Sequence, residues 1–189
     1  MAVIATRKGT TVMTGKVRLS YAHLFEKHAQ EGQEPQYSVS LIIPKSDTET
    51  IKLIKEAIAE AKELGKAKLG GKIPANLKTT LHDGDDDKPD DENYKNCSYM
   101  NANSKINKPG VIDRRRVAIT DPQEVYSGCY GRVEINFYAY NVSGSKGIAS
   151  GLGNVQKISE GKPLGGFTRA EDVFDEIEDD EDEDGDFLD

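Results

Sequence analysis

The hydrophobic period of this chain changes at Pro44, and that change constrains the fold more than any other feature. Residues 36–43, QYSVSLII, hold Tyr37, Val39, Leu41 and Ile43 in one phase of a two-residue repeat, the pattern of a half-buried strand that Pro44 stops. The next segment, SDTETIKLIKEAIAEAKELG, has helical spacing instead: Ile51, Ile54, Ala57, Ile58, Ala61 and Leu64 form one apolar stripe. Ser46 and Glu49 have the spacing of a capping box, and Gly65 suits the C-terminal end. The helix is expected to lay its stripe on a sheet, and other alternating runs supply one.

Residues 11–21, TVMTGKVRLSY, set Met13, Val17 and Leu19 against Lys16 and Arg18. Strand character returns in CSYMNANSK (97–105) and more strongly in GCYGRVEINFYAYNV (128–142). There Val133, Ile135, Phe137 and Ala139 share one face, while Tyr130, Arg132, Glu134, Asn136, Tyr138 and Tyr140 share the other. GIASGLGNVQKI (147–158) reads as a strand loosened by glycine, and residues 66–95 as a long loop insertion. The elements predict a mainly β, α+β domain, or a small barrel capped by the helix that follows its second strand.

The charges are unevenly distributed. The chain holds 25 basic and 33 acidic residues, net -8. Thirteen of the acids fall in residues 171–189, EDVFDEIEDDEDEDGDFLD, which contain no Lys or Arg, so residues 1–170 are net +5. A second run, DGDDDKPDDE at 83–92, holds seven acids and Lys88; outside both runs the balance is +11. A basic body with acidic segments attached points to a polyanionic partner such as nucleic acid, although a solvated charged surface fits composition equally well. The terminal run cannot bury enough apolar surface to offset its ordering entropy, and is expected to be a disordered tail. MAVIATRKGT has too short an apolar run for a secretory signal, and nothing later approaches about 18 consecutive apolar residues, so a soluble cytoplasmic protein with no membrane partner is expected. Cys97 and Cys129 are too few for a disulfide framework or a zinc site and are expected as reduced thiols.

Catalytic motifs fail on inspection. Asp83, Asp85 and Asp87 open like a calcium loop, but Lys88 and Tyr94 stand where Gly and Glu are required. GLGNVQ has Gln156 at the third glycine position of a dinucleotide fingerprint, and no glycine-rich stretch ends as a phosphate loop does. His23, His28 and His82 share no zinc spacing with the cysteines. The reading is a non-enzymatic protein with no metal and no cofactor. A metal-dependent nuclease with dispersed ligands, a strand-annealing recombination protein and a protein–protein adaptor are the competing classes.

The constellation that survives is aromatic and basic. Single-stranded nucleic acid offers unpaired base faces and a line of phosphates, which tyrosines and cations on one sheet face would satisfy together. The candidate contacts are Lys16, Arg18, Tyr99, Lys105, Arg114, Arg116, Tyr130, Arg132, Tyr138 and Tyr140. Strand tyrosines also cover core rims, which is the competing reading of each one. VIDRRRVAIT is the densest cation cluster; as a strand it would put Arg114 and Arg116 on one face, for phosphate contact or for charge balance with the 83–92 run.

Two stretches, GKVRLSYAHLFEKHAQEGQEPQYSVSLIIPK and the long segment from Pro109 containing DPQEVYSGCYGR, resemble a phage and prophage family of single-stranded-DNA-binding proteins. The match spans nearly the whole body, and DP-x-x-VYSGCYGR is its most specific part. The resemblance implies an oligonucleotide-binding (OB) Greek-key domain over residues 1–170, acting in phage DNA replication or recombination inside a bacterial host. It also implies an acidic C-terminal tail ending in an aromatic residue. Such a tail, tethered to a cationic groove, would compete with DNA and, once displaced, offer Asp184, Asp186, Phe187 and Leu188 to replication or recombination proteins.

Overall fold

The computed structural model describes residues 2–165 together with Val173 and Phe174, so the expected tail lies almost wholly outside the described residues. In chain order the strands are β1 (Thr6–Lys8), β2 (Thr11–Met13), β3 (Val17–His28), β4 (Gln36–Pro44), β5 (His82–Asp83), β6 (Cys97–Ser104), β7 (Val111–Ile112), β8 (Tyr130–Val142) and β9 (Ser145–Ser159). The long helix α1 (Thr48–Leu64) follows β4, and a single turn, α2 (Gly84–Asp87), follows β5.

Five strands close on themselves. β3 pairs with β4, β4 with β6, β6 with β9, β9 with β8, and β8 returns to β3. Only the β6–β9 pairing in this ring is parallel. That strand order is the OB architecture, and the ring removes the open edges that a five-stranded sheet would otherwise expose. β2 adds to β8 and β1 to β2, while β5 and β7 are short additions to β6 and β9. Inside the ring Leu19, Leu41, Ile43, Met100, Ile135 and Ile148 are buried, as alternation required.

The predicted helix forms, with its ends made differently. Asp47, not Ser46, caps it: its carboxylate accepts the Thr50 amide at 3.1 Å. Ile54, Ala57, Ile58 and Ala61 are buried, whereas Leu64 is 74% exposed and leaves the stripe. Gly65 ends the helix at an ordinary φ of -93°, so its role is spatial; a Cβ there would overlap the Ala139 Cβ on β8. Met13 also departs from expectation. It is 37% exposed while Val12 is buried, because the chain breaks strand pairing between β2 and β3 and the phase changes across that break.

VIDRRRVAIT is not one strand. β7 ends at Ile112, and residues 114–116 form a turn whose Asp113 carboxylate accepts the Arg115 and Val117 amides at 2.8 and 2.9 Å. Arg116 sits at φ +65°, and Ile112 bridges back to Ala118. The arginines therefore project from a tip. They do not neutralise the 83–92 run either: Asp83 and Asp85 bind Lys45 at 2.9 and 2.6 Å. That run is held against β6 by β5, and the adjoining Tyr94 is buried. No helix among the described residues is long and apolar enough to cross a membrane.

Candidate nucleic-acid interface

The outward phase of the ring carries few charges. The pairing register sets His23 beside Ser38, Ser38 beside Asn103, Asn103 beside Gly151, Gly151 beside Asn136 and Asn136 beside Thr11. From Ser38 to Thr11 a row of small or amide side chains thus crosses five strands, with His23 on β3 at its end. Two cavities open along this face. The first, about 530 Å³, is lined by Tyr21, Ser38, Lys88, Tyr94, Tyr99 and Asn101 among others; the second, about 600 Å³, by Lys105, Ile106, Asn136, Tyr138 and Gly151. Gln36 and Asn103 line both, so the cavities adjoin as one groove.

The groove floor presents hydrogen-bond donors. Ser40 donates to Asn101 Oδ1, and Thr10 and Thr11 donate to Asn136 Oδ1 at 2.9 and 3.2 Å. With their oxygens accepting these hydroxyls, both asparagines keep amide N–H groups that base carbonyls or phosphate oxygens could accept. At the groove edge His23 stacks on His28, ring centroids 4.1 Å apart. Burial, and then the neighbouring His28, hold the His23 pKa below its ordinary value. The Tyr99 hydroxyl donates to Asp87 at 3.0 Å, and burial together with that carboxylate raises the Tyr99 pKa.

The residues expected to contact nucleic acid divide among several places. Tyr99, Lys105 and Tyr138 come together on the groove; Tyr138 is 48% exposed and Lys105 pairs with Glu34 at 3.3 Å. Lys16, Arg18 and Tyr130 cluster where β8 closes onto β3, with Lys16 Nζ 4.8 Å and the Arg18 guanidinium carbon 5.8 Å from the Tyr130 ring centre. Arg18 there donates to the Gly128 and Lys162 carbonyls. Arg132 donates to the Ile4 carbonyl, and Tyr140 lies against Gly147, where a Cβ would stand 2.6 Å from the tyrosine oxygen. Arg114 lines a separate cavity with Lys157 and Glu160, and Arg116 sits on the turn beside it.

The most distinctive sequence segment builds the ring closure. Gly128 donates to the Leu19 carbonyl at 2.7 Å and Leu19 to the Cys129 carbonyl at 2.8 Å. Gly128, at φ +117°, has no room for a side chain against the Lys162 backbone. Cys129 is buried, which raises its pKa and keeps the thiol neutral. The Enterobacter phage Enc34 ssDNA-binding protein family matches residues 10–188, a span that takes in both this seam and the groove. The chain belongs to that family. Protein p50 of Acyrthosiphon pisum secondary endosymbiont phage 1 is 32% identical over 178 residues, 88% of this chain and 93% of its own length. The single-stranded DNA-binding protein from bacteriophage Enc34 in complex with ssDNA is 25% identical with a TM-score of 0.68, covering 86% of this chain and 98% of that one. Gp2.5, a single-stranded DNA-binding protein of bacteriophage T7, is 20% identical at TM-score 0.51 over 89% of this chain and 95% of its own, a likeness of fold.

Several groove residues of this Enc34-type family member escaped the sequence reading. Ser38 and Ser40 on β4 and Asn101 and Asn103 on β6 occupy the outward phase that solvent-facing strands usually fill with charge, and that uncharged polar alternation was a legible signal. His23 and His28 were not legible, and Tyr21, which stands among the tyrosines interleaved with Lys16 and Arg18, could not be placed on the groove by alternation. Between the Ser20–Ser40 and His23–Ser38 pairs β3 advances three residues against two, and the bulge shifts the phase.

Proposed function

We propose that this protein binds single-stranded DNA along the groove formed by the outward faces of β4, β6, β9 and β8, with residues 1–170 acting as one binding unit. The observation that carries the reading is the uncharged row from His23 to Thr11, flanked by exposed Tyr21 and Tyr138 and by Lys88 and Lys105. Its family membership, and the Enc34 protein's structure in complex with ssDNA, support the choice of ligand. Bases stack on the tyrosines and accept from the asparagine amides, while the lysines and the histidine pair meet phosphates. Every base has a π-face, so the binding tolerates sequence. Among the sequence candidates, Tyr99, Lys105 and Tyr138 are the contacts. The Lys16, Arg18 and Tyr130 cluster serves ring closure, and the Arg114–Arg116 tip lies outside the groove as a secondary phosphate contact. The acidic tail competes with DNA for the groove and recruits replication or recombination proteins through Asp184, Asp186, Phe187 and Leu188.

Eight tyrosines and no tryptophan make tyrosine fluorescence the natural reporter. Titration with poly-dT quenches it, and affinity falls with salt at a log–log slope of about -2 to -4, as for three to six phosphates at about -0.7 each. A flat salt response, or no binding, overturns the reading.

A further inference from the structure

The acidic segment 83–92 is the feature that a strand-binding groove least explains, since its carboxylates repel phosphate. Its geometry gives it a task. Lys45 ties down Asp83 and Asp85, and the Asp85 carboxylate also accepts the Asn96 amide at 2.9 Å, so the segment is anchored at one end of β6. This anchorage carries Lys88 over two rings: its ammonium stands 4.2 Å from the centre of Tyr94 and 5.0 Å from that of Tyr99. The rings meet edge to face at 5.4 Å and 86°. The Tyr99 ring is steadied by its bond to Asp87 and by the tilted His82 ring 5.2 Å away. Lys88, Tyr94 and Tyr99 all line the first cavity.

Resting on the groove reading above, we propose that segment 83–94 is a base-binding bank. An unpaired nucleobase takes the place of the Lys88 ammonium against the Tyr94–Tyr99 rings, and the displaced ammonium pairs with a phosphate of the same strand. Two physical facts support the exchange. A cation over partly covered rings is held by about 0.5–2 kcal/mol, a range that a stacked base matches, so the base can take its place while the released ammonium gains a phosphate. The remaining carboxylates of the segment keep phosphates off this bank, so a strand entering the cavity turns its bases, not its backbone, toward the rings. Lys88 is thus a cover in the free protein and a phosphate contact in the complex, and the acidic run is its mount.

The test uses the full chain and two probes, an oligothymidylate and a strand of equal length with abasic sites. Lys88→Met keeps the aliphatic stem and removes the charge. It is expected to lower the magnitude of the salt slope by about 0.7, one phosphate contact. Tyr99→Leu is expected to weaken oligothymidylate binding by about 5- to 150-fold while leaving the abasic strand within about twofold of wild type. An unchanged slope in Lys88→Met overturns the proposal. So does an equal loss on both probes in a folded Tyr99→Leu. Should Tyr99→Leu fail to fold, the slope of Lys88→Met decides alone. Wild-type protein that binds neither probe overturns the groove reading and this inference with it; binding by wild type with both variants unaffected overturns only the inference.

Discussion

Individual side chains in the groove are selected for what they leave unpaired. Asn101 and Asn136 each accept neighbouring hydroxyls at the carbonyl oxygen, Ser40 on the first and Thr10 and Thr11 on the second, and keep their amide N–H donors for a ligand. Asn101→Asp replaces those donors with acceptors and adds a negative charge, at a site where Ser40 can still donate. The fold is expected to persist, and single-strand affinity to fall by about 1–3 kcal/mol, the range for losing a hydrogen bond to a charged or buried acceptor. Anisotropy titration beside wild type measures it; equal affinities would remove Asn101 from the interface. Gly151 is the complementary case. Its missing Cβ leaves the row flat where the Tyr138 ring lies 3.4 Å from the position a Cβ would take.

At the scale of elements, two local devices shape the site. The bulge in β3 puts Tyr21 at φ +45°, 65% exposed, with its amide donating to Ser127 Oγ at 2.8 Å. A non-glycine residue held there costs about 1–3 kcal/mol, which a structure keeps when the side chain is used. Tyr21→Gly is expected to raise the denaturant midpoint while weakening DNA binding; a lower midpoint would show that the ring is a packing residue. The second device is the Lys45 anchor. Its hydrogen bonds to Asp83 and Asp85 raise the lysine pKa and, as their largest cause, lower those of both carboxyls. For a carboxyl whose folded pKa is depressed, the stabilisation is complete above the unfolded value near 3.9 and is lost as pH falls through the lower folded value. Lys45→Met is therefore expected to be less stable than wild type at pH 7, with the difference shrinking in acid as pH falls below the ordinary carboxylate range and through the depressed folded values. Parallel acid-unfolding curves would assign the anchor no energetic role.

For the whole molecule the governing quantity is charge placement. Removing residues 171–189 takes the net charge from -8 to +5 without touching any strand of the ring. If the acidic tail visits the groove, the deletion tightens DNA binding, most at low salt, because an intramolecular competitor at high effective concentration has gone. A tail that stays beyond a Debye length of about 8 Å leaves affinity unchanged at physiological salt. Replacing only Phe187 and Leu188 by Ala keeps every acid, so affinity stays near wild type while recovery of replication proteins from infected cells falls. Equal recovery would leave the tail as a charge device.

The sequence by itself determined the long strands, the helix and most of their inward faces, because burial imposes a period that survives in the order of residues. Val133, Ile135, Phe137 and Ala139 are buried in the phase their alternation predicts, and Ile54 to Ala61 lie on the predicted stripe. The family segment was legible for a similar reason, since close approach at Gly128 dictates residue type. What the tertiary structure alone decided was which outward residues share a surface. Ser38, Asn103, Gly151 and Asn136 are far apart in the chain and become neighbours only through strand register. Tyr130 and Tyr138 read alike on one alternating strand, yet the ring closure takes the first and the groove receives the second. A period reports which side of a strand is buried; the use of the other side depends on partners that the order of residues does not bring together.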